Sequence, residues 1–400
     1  MKVLFVLKKS VESVASVAGH AVAAIWTFPA MIGAAMLIAW GAEAAQFVIS
    51  QGMALAILAW LQTLPEFAVE AVIAWKRDVP NLTANFTGSL RLLVGLGWPL
   101  IYVTAAVFHR RKSGKPLREI VLEGEHSVEI MALFLPLVYF VWILIKGTLT
   151  VVDSVVLTAL YLLYLGILNQ IPPQDEEELE DMEYVPRKIL GMAPRLRNAT
   201  IVALFGTGGV LIYFIAEPFV ESIKALALAA GISQFVFIQW IAPFVSEFPE
   251  KVSAFYWARK VTKAPMALMN MVSSNINQWT VLVAMIPVMY CWSGGRIEPI
   301  VFDQMHLDEI ALTIAQSALG FMLMMNMRFC WYEAGGLFIL WLTQFFVPHL
   351  REEIMYIYLG WVVVEVILQL ARRKRLEAFV QFRRLMGSFV LRRPARRAAP

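Results

Sequence analysis

The sequence predicts an all-α polytopic membrane protein made of two inverted five-helix repeats plus one extra C-terminal transmembrane helix. Three observations carry that expectation: an apolar composition, a series of apolar runs each long enough to cross a bilayer, and a pair of polar motifs that recurs in both halves. Of 400 residues, 59% are hydrophobic and 16% charged, and the mean hydropathy is +0.66. Soluble chains carry about 25% charged residues, so most of this surface must be covered by lipid or by other helices. Soluble enzymes and nucleic-acid readers are poor fits. The net charge of +4 is not spread evenly, because ten Lys and Arg residues lie from Arg372 onward. Cys291 and Cys330 are the only cysteines, and the five histidines (His20, His109, His126, His306 and His349) are scattered. That pattern supports neither a disulfide framework nor a Cys/His metal site, and no cofactor is expected.

A spanning helix needs about 20 mostly apolar residues. Between charged or Pro/Gly-rich breaks, the first half has runs at 22–46, 52–75, 84–107, 127–147 and 150–171. The segment 172–188, PPQDEEELEDMEYVPRK, carries a run of like charge that cannot enter lipid and reads as a solvated connector. The second half repeats the rhythm at 199–222, 233–257, 265–291, 307–327 and 332–349, and one more run covers 353–371. These runs are continuous, without the period of two and the short strands of a membrane β-barrel. The chain divides into a first repeat at 1–171, an acidic cytoplasmic connector at 172–198, a second repeat at 199–350, an extra span at 351–371 and a basic tail at 372–400. The acidic stretch 175–181 lacks the glycine turn and spacing of a calcium loop and reads as linker. The tail alternates Arg-Arg pairs with Phe379, Phe382, Leu385, Phe389 and Val390, and reads either as an amphipathic segment on anionic lipid or as a disordered tail.

Orientation follows from the basic residues, which cytoplasmic loops retain. With the N-terminus outside, 23 of the 34 Lys and Arg residues fall on the inner side and nine on the outer. The expectation is a multi-pass protein of the cell membrane with its N-terminus outside and its C-terminus in the cytoplasm. The opening MKVLFVLKKSVES is too short and too charged for a cleavable signal, so the first span is expected to act as the address.

An odd number of spans per half forces two copies of one unit to face opposite ways. The second span of the first half contains WLQTLPEFAVEAV and that of the second half contains APFVSEFPEKVSAF, so both place Pro-Glu within the membrane. Each is followed by a matching segment, ANFTGSLRLLVGLG at 84–97 and MNMVSSNINQWTVL at 269–282, in which Asn85 and Ser89 correspond to Asn270 and Ser274. On a helix, Gln62, Thr63, Glu66 and Glu70 fall within an arc of roughly 100°, and Ser246, Glu247, Glu250 and Ser253 within roughly 120°. Ionisable groups in a span face a cavity or a partner and mark function. Pro65 and Pro249 add to this by removing the N–H groups that would bond the carbonyls of Leu61 and Val245.

Carboxylates, amides, hydroxyls and bare carbonyls make an all-oxygen environment, which suits hard cations such as Ca²⁺ or Na⁺. Glu66 and Glu250 are the central candidates, because only they recur mid-span in both repeats. Thr63, Ser89, Ser253 and Asn270, taken singly, have the alternative role of bonding helix to helix. Glu70 reads as a ligand or as a solvated end group, and Glu247 as a ligand or as the ion-pair partner of Lys251 four residues on. Arg91 lies about 200° around its helix from Ser89 and is expected to be a structural partner of Glu43 or Asp153.

With these residues in place, the chain resembles the calcium/cation antiporter superfamily, specifically its sodium/calcium exchanger-like members. Their repeats carry a pattern like G-T-S-L-P-E-L followed by G-N-x-x-G-S-N-x-x-N. Here the copies are LQTLPEF at 61–67 with ANFTGSLRLL at 84–93, and VSEFPEK at 245–251 with MNMVSSNINQ at 269–278. The resemblance implies two inverted repeats and a transported cation bound by Glu66 and Glu250, aided by Gln62, Thr63, Ser89, Ser246, Glu247, Ser274 and Gln278, with Glu70 nearby. The sequence departs from the pattern where Leu61 and Val245 replace glycine, Glu247 replaces serine and Leu93 replaces the terminal asparagine. The expectation is a secondary active cation antiporter, not an enzyme, exchanging Ca²⁺ or a similar hard cation against H⁺ or Na⁺ by alternating access. The loss of an amide at Leu93 and the gain of an acid at Glu247 tilt it toward H⁺. Its implied partners are inorganic cations and membrane lipid. The alternative is a non-transporting membrane protein that keeps the scaffold with a drifted site, which Leu93, Arg91 and Lys251 favour.

Overall fold

The computed structural model describes residues 2–45, 47, 60–171, 182–371 and 376–390. The acidic stretch 175–181 and the first part of the second span, 52–59, lie outside the described residues. The first half comprises α1 (Lys2–Ala45), α2 (Leu64–Trp75), α3 (Val79–Leu92), α4 (Trp98–Ser113), α5 (Ser127–Lys146) and α6 (Val151–Leu168). After α7 (Tyr184–Leu190) the second half runs through α8 (Pro194–Ala229), α9 (Gln234–Ser246), α10 (Phe248–Ala258), α11 (Ala264–Asn277), α12 (Val283–Gly294), α13 (Gln304–Met324) and α14 (Trp331–Phe346). Two more helices follow, α15 (Arg351–Leu370) and α16 (Glu377–Leu385).

Among the described residues, seven helices are long and apolar enough to cross a membrane. Of the other expected spans, the second of each half is interrupted, the fifth of the second half is shorter, and 264–294 is long but more polar. The second span of each half breaks, at Thr63 before α2 and at Glu247 between α9 and α10. Proline sits in the first turn of α2, α3, α8, α10 and α11, where its missing N–H costs no helical bond. The third span of each half is continuous except for a single π-helical turn, at Leu93–Gly97 and at Gln278–Leu282. Several helices start earlier than the apolar runs imply. α1 extends back to Lys2, and α8 begins at Pro194 within the expected connector.

Four short strands show how the halves are related. β1 (Glu119–Val121) and β2 (Thr148–Leu149) precede and follow α5, while β3 (Ile300–Val301) and β4 (Arg328–Cys330) precede and follow α13. β1 pairs antiparallel with β4, and β2 with β3. The loop before the fourth span of one half therefore meets the loop after the fourth span of the other, at both ends of the molecule. Two copies inserted the same way round could not make both pairings. The fifth spans also start alike, with Thr150 and Asp153 capping α6 and Cys330 and Glu333 capping α14.

The two first spans, α1 and α8, lie antiparallel. Phe28 meets Phe219 edge to face at 5.1 Å, and Thr27 bonds Ser222 at 3.3 Å. Further along, Gly208 lies against Ala34 and Ile38. α7 packs on the same end, where Ala44, Ala45, Ile189 and Ile201 are buried together. At the other terminus α16 folds back onto the bundle. Ala378 is buried and donates its N–H to the Met325 carbonyl at 3.0 Å. The disordered reading of the tail therefore does not hold for 376–390.

α3 crosses α9 at Gly88, where an added Cβ would sit 1.9 Å from the Gln239 carbonyl oxygen. Gly88→Ala should therefore destabilise the protein by about 3 kcal/mol, the upper end for overpacking, since backbone and not a side chain must yield. Thermal unfolding in detergent would show it. Gly166→Ala is the control, because its methyl would meet nothing within 4 Å.

Candidate functional site

Each broken span supplies two helix ends to the interior. One half-helix ends near Gln62 and Thr63 and the next begins at Leu64, and in the other repeat the break falls between Ser246 and Phe248. Glu66 and Glu250 lie in the first turn of α2 and α10, where the helix dipole favours a carboxylate. α9 ends at the second break, at Ser246, and a helix C-terminus favours cations. Half-helix ends that meet inside a bundle are how transporters build ion sites.

The structure brings most of the sequence-derived candidates together and buries all of them. Glu66, Glu70, Glu250, Ser89, Ser274 and Gln278 are fully inaccessible, and Gln62, Thr63, Ser246 and Glu247 nearly so. Most contacts run between repeats. The Gln278 amide donates to Glu66 at 2.7 Å and to Glu247 at 3.0 Å. Asn277 donates to the Thr63 hydroxyl at 2.5 Å, and Asn270 to Gln62 at 3.3 Å. Ser89 lies beside Glu66 and donates to Glu247, while Ser274 lies beside Glu250. Glu66 and Glu250 are themselves close enough to interact electrostatically.

Four candidates have further partners. Glu70 is not a solvated end group, since it is buried and accepts from Asn85 at 2.5 Å. Glu247 forms the ion pair with Lys251, Nζ to Oε2, at 2.5 Å. The Ser246 hydroxyl donates back to the Ala242 carbonyl at 2.9 Å. Ser253 bonds Glu43 at 2.6 Å and Glu183 at 3.3 Å, at the end of the connector.

What remains is an array of acceptors. Oδ1 of Asn270, Oδ1 of Asn277 and Oε1 of Gln278 have no hydrogen-bond partner, and Glu250 and Oε1 of Glu66 are met by no amide or ammonium donor, with only the hydroxyls of Ser274 and Ser89 beside these two carboxylates. Buried acceptors without donors are costly, and a cation satisfies several at once. Among the described residues, no group of three or more His, Cys, Asp or Glu side chains is placed to hold a metal ion. Two carboxylates plus neutral amide and hydroxyl oxygens therefore form the available set, a donor chemistry for hard cations.

Residues 19–169 and 200–348, the five spans of each half, match the sodium/calcium exchanger protein family. The chain belongs to that family. Membership places it among transporters of cations and not among enzymes. The exchanger fold extends over nearly the whole molecule. The structure is similar to that of the H⁺/Ca²⁺ exchanger CAX, with a TM-score of 0.81 and 32% identity, covering 92% of this chain and 91% of that one. It also resembles the sodium-calcium exchanger NCX_Mj, with a TM-score of 0.55 and 18% identity over 84% of this chain and 99% of that one, a likeness of fold. A search of curated proteins gives no match.

Outside the acceptor array lies a second buried polar cluster that sequence reasoning missed. Arg91 does not pair with Glu43 or Asp153. Its guanidinium bonds Glu309 at 2.5 Å and Gln344 at 2.9 Å and stacks over Trp240. Asp153 is held instead by Lys146 and Tyr139. Glu309 also takes Arg351 and, at 2.9 Å, Gln239, so the cluster joins α3 to α9, α13, α14 and α15. The signal was present in polar residues at three- and four-residue spacing along α13, at Glu309, Thr313 and Gln316, but their partners come from distant segments. Glu309→Gln would leave two arginines without their carboxylate and should destabilise the protein by about 3–5 kcal/mol. Arg91→Met should cost less, because Arg351 still balances Glu309. Thermal unfolding of the two variants should show that order.

Proposed function

We propose that this protein is a secondary active antiporter that moves Ca²⁺, or a hard cation of similar size, against H⁺ by alternating access. The observation that supports this reading most is the gathering of buried oxygens from Glu66, Glu250, Ser274, Asn277 and Gln278, several of which no amide or ammonium donor reaches. A divalent ion between Glu66 and Glu250 would balance two carboxylates that otherwise repel, and protons would do so one at a time. Competition between one divalent ion and protons for the same pair is a sufficient basis for exchange. The 32% identity with the H⁺/Ca²⁺ exchanger CAX favours H⁺ over Na⁺ as the coupling ion. The rival reading, a scaffold without transport, draws on the lysine at position 251 inside the site.

In proteoliposomes, an outward-directed proton gradient should drive ⁴⁵Ca²⁺ movement, and a Na⁺ gradient at clamped pH should not. Flux driven by Na⁺ and indifferent to pH would overturn the choice of coupling ion, and no flux under either gradient would favour the scaffold reading. Glu66→Gln and Glu250→Gln keep shape and remove charge, and each should abolish transport and calcium-dependent thermal stabilisation while the protein stays monodisperse. Calcium binding as tight as the parent's in both variants would remove this assignment. Glu70→Gln should be milder, because Glu70 is bonded to Asn85.

The orientation proposed is N-terminus outside and C-terminus in the cytoplasm. In a background without Cys291 and Cys330, cysteines at Ser10 and Gly387 should react with an impermeant thiol reagent from opposite sides. Labelling of both from one side would remove the odd number of spans.

A further inference from the structure

The ion pair of Glu247 and Lys251 has no counterpart in the first repeat. Aligning Pro249 on Pro65 places Thr63 opposite Glu247 and Phe67 opposite Lys251. The second repeat has thus gained an acid and a base together, and the pair adds no net charge to the site. Isolated charges at this depth are costly. Both side chains are buried, Lys251 with 7% of its side chain exposed and Glu247 with none.

Glu247 is also saturated. Ser89 and the Gln278 amide donate to Oε1, and the Lys251 ammonium to Oε2. Both of its oxygens are met by amide or ammonium donors, in contrast to Glu250 and to Oε1 of Glu66, which none reaches. A carboxylate flanked by a hydroxyl and by an amide whose Oε1 is unpartnered would, without the lysine, offer three kinds of oxygen to a monovalent cation. The ammonium supplies that single positive charge from within the chain.

We infer that Lys251 is a tethered monovalent cation that fills the place beside Glu247 and keeps Na⁺ out of it, with Glu247 serving as its counter-charge and not as a ligand of the divalent ion. This rests on the exchange reading above and narrows it, since specificity for the counter-ion then resides in one side chain. Lys251 also acts electrostatically on Glu250, so its charge is felt where the divalent ion would bind.

The test compares purified full-length variants in NaCl and in choline chloride. The parent should unfold at the same temperature in both, whereas Lys251→Ala, with Glu247 exposed to a bindable cation, should be stabilised by Na⁺ by at least about 3 °C. Calcium titration provides the second measurement. Glu247→Gln strands the ammonium and should weaken calcium binding at least about tenfold by charge repulsion. Adding Lys251→Phe to Glu247→Thr, which copies the first repeat, should recover most of that loss. The inference fails if Lys251→Ala responds equally to Na⁺ and choline, or if the double variant binds calcium as poorly as Glu247→Gln. Should Lys251→Ala not fold, the double variant, which buries no charge there, decides alone. Failure of the exchange reading would be seen separately, as a parent without proton-driven calcium flux whose Lys251→Ala variant still takes up Na⁺.

Discussion

Hydrocarbon offers no hydrogen bonds, so every polar group placed within a bilayer needs a partner inside the protein. The architecture of this chain follows from that constraint. Two spans are broken to bring helix ends inward, and each break is answered by the other repeat. Thr63 is met by Asn277, Gln62 by Asn270, and Glu247 by Ser89. Around Glu66 and Glu250 several acceptors stay unanswered by any amide or ammonium, and these are the two acids that recur at the same place in both repeats.

The repeat is close in backbone and loose in chemistry. Both third spans take their π-helical turn at the same place, and both fourth spans are flanked by strands that pair across the molecule. The side chains diverge. Asn85 bonds Glu70, whereas in the second repeat Ala254 stands at the position of Glu70 and Asn270, the equivalent of Asn85, donates to Gln62. Arg91, buried against Glu309, corresponds to Ile276. One half therefore carries a charge cluster that fastens it to its neighbour, and the other half has an apolar side chain at that position.

Much of this was legible in the residues. The Pro-Glu pair occurs twice, the apolar runs count five and five, and the odd number per half dictates inversion. Less visible was anything that depends on helix phase. Asn277 and Gln278 are neighbours and would point about 100° apart on a regular helix, yet both reach the break of the first repeat, one at Thr63 and the other at Glu66, where their own helix enters its π-helical turn. The partner of Arg91 was misjudged for a related reason. Its direction away from the polar stripe was correct, but which of several buried acids waited there depended on how α13 and α15 pack, and periodicity within one helix does not carry that information.

The strand pairings and cross-repeat bonds also have a consequence for how the chain is made. The Gln278 amide that reaches Glu66 is encoded 212 residues later. At ribosomal speeds of about 5–20 residues per second, roughly 10–40 s separate the two during synthesis. Through that interval the first half has Glu66 without its Gln278 donor and β1 without β4. The nascent half must be sheltered by the insertion machinery, or hold its carboxylates protonated, until the second half arrives. Truncations after α6 should then be substrates for membrane quality control rather than stable half-proteins, and biogenesis becomes the step at which a change in either repeat is first felt.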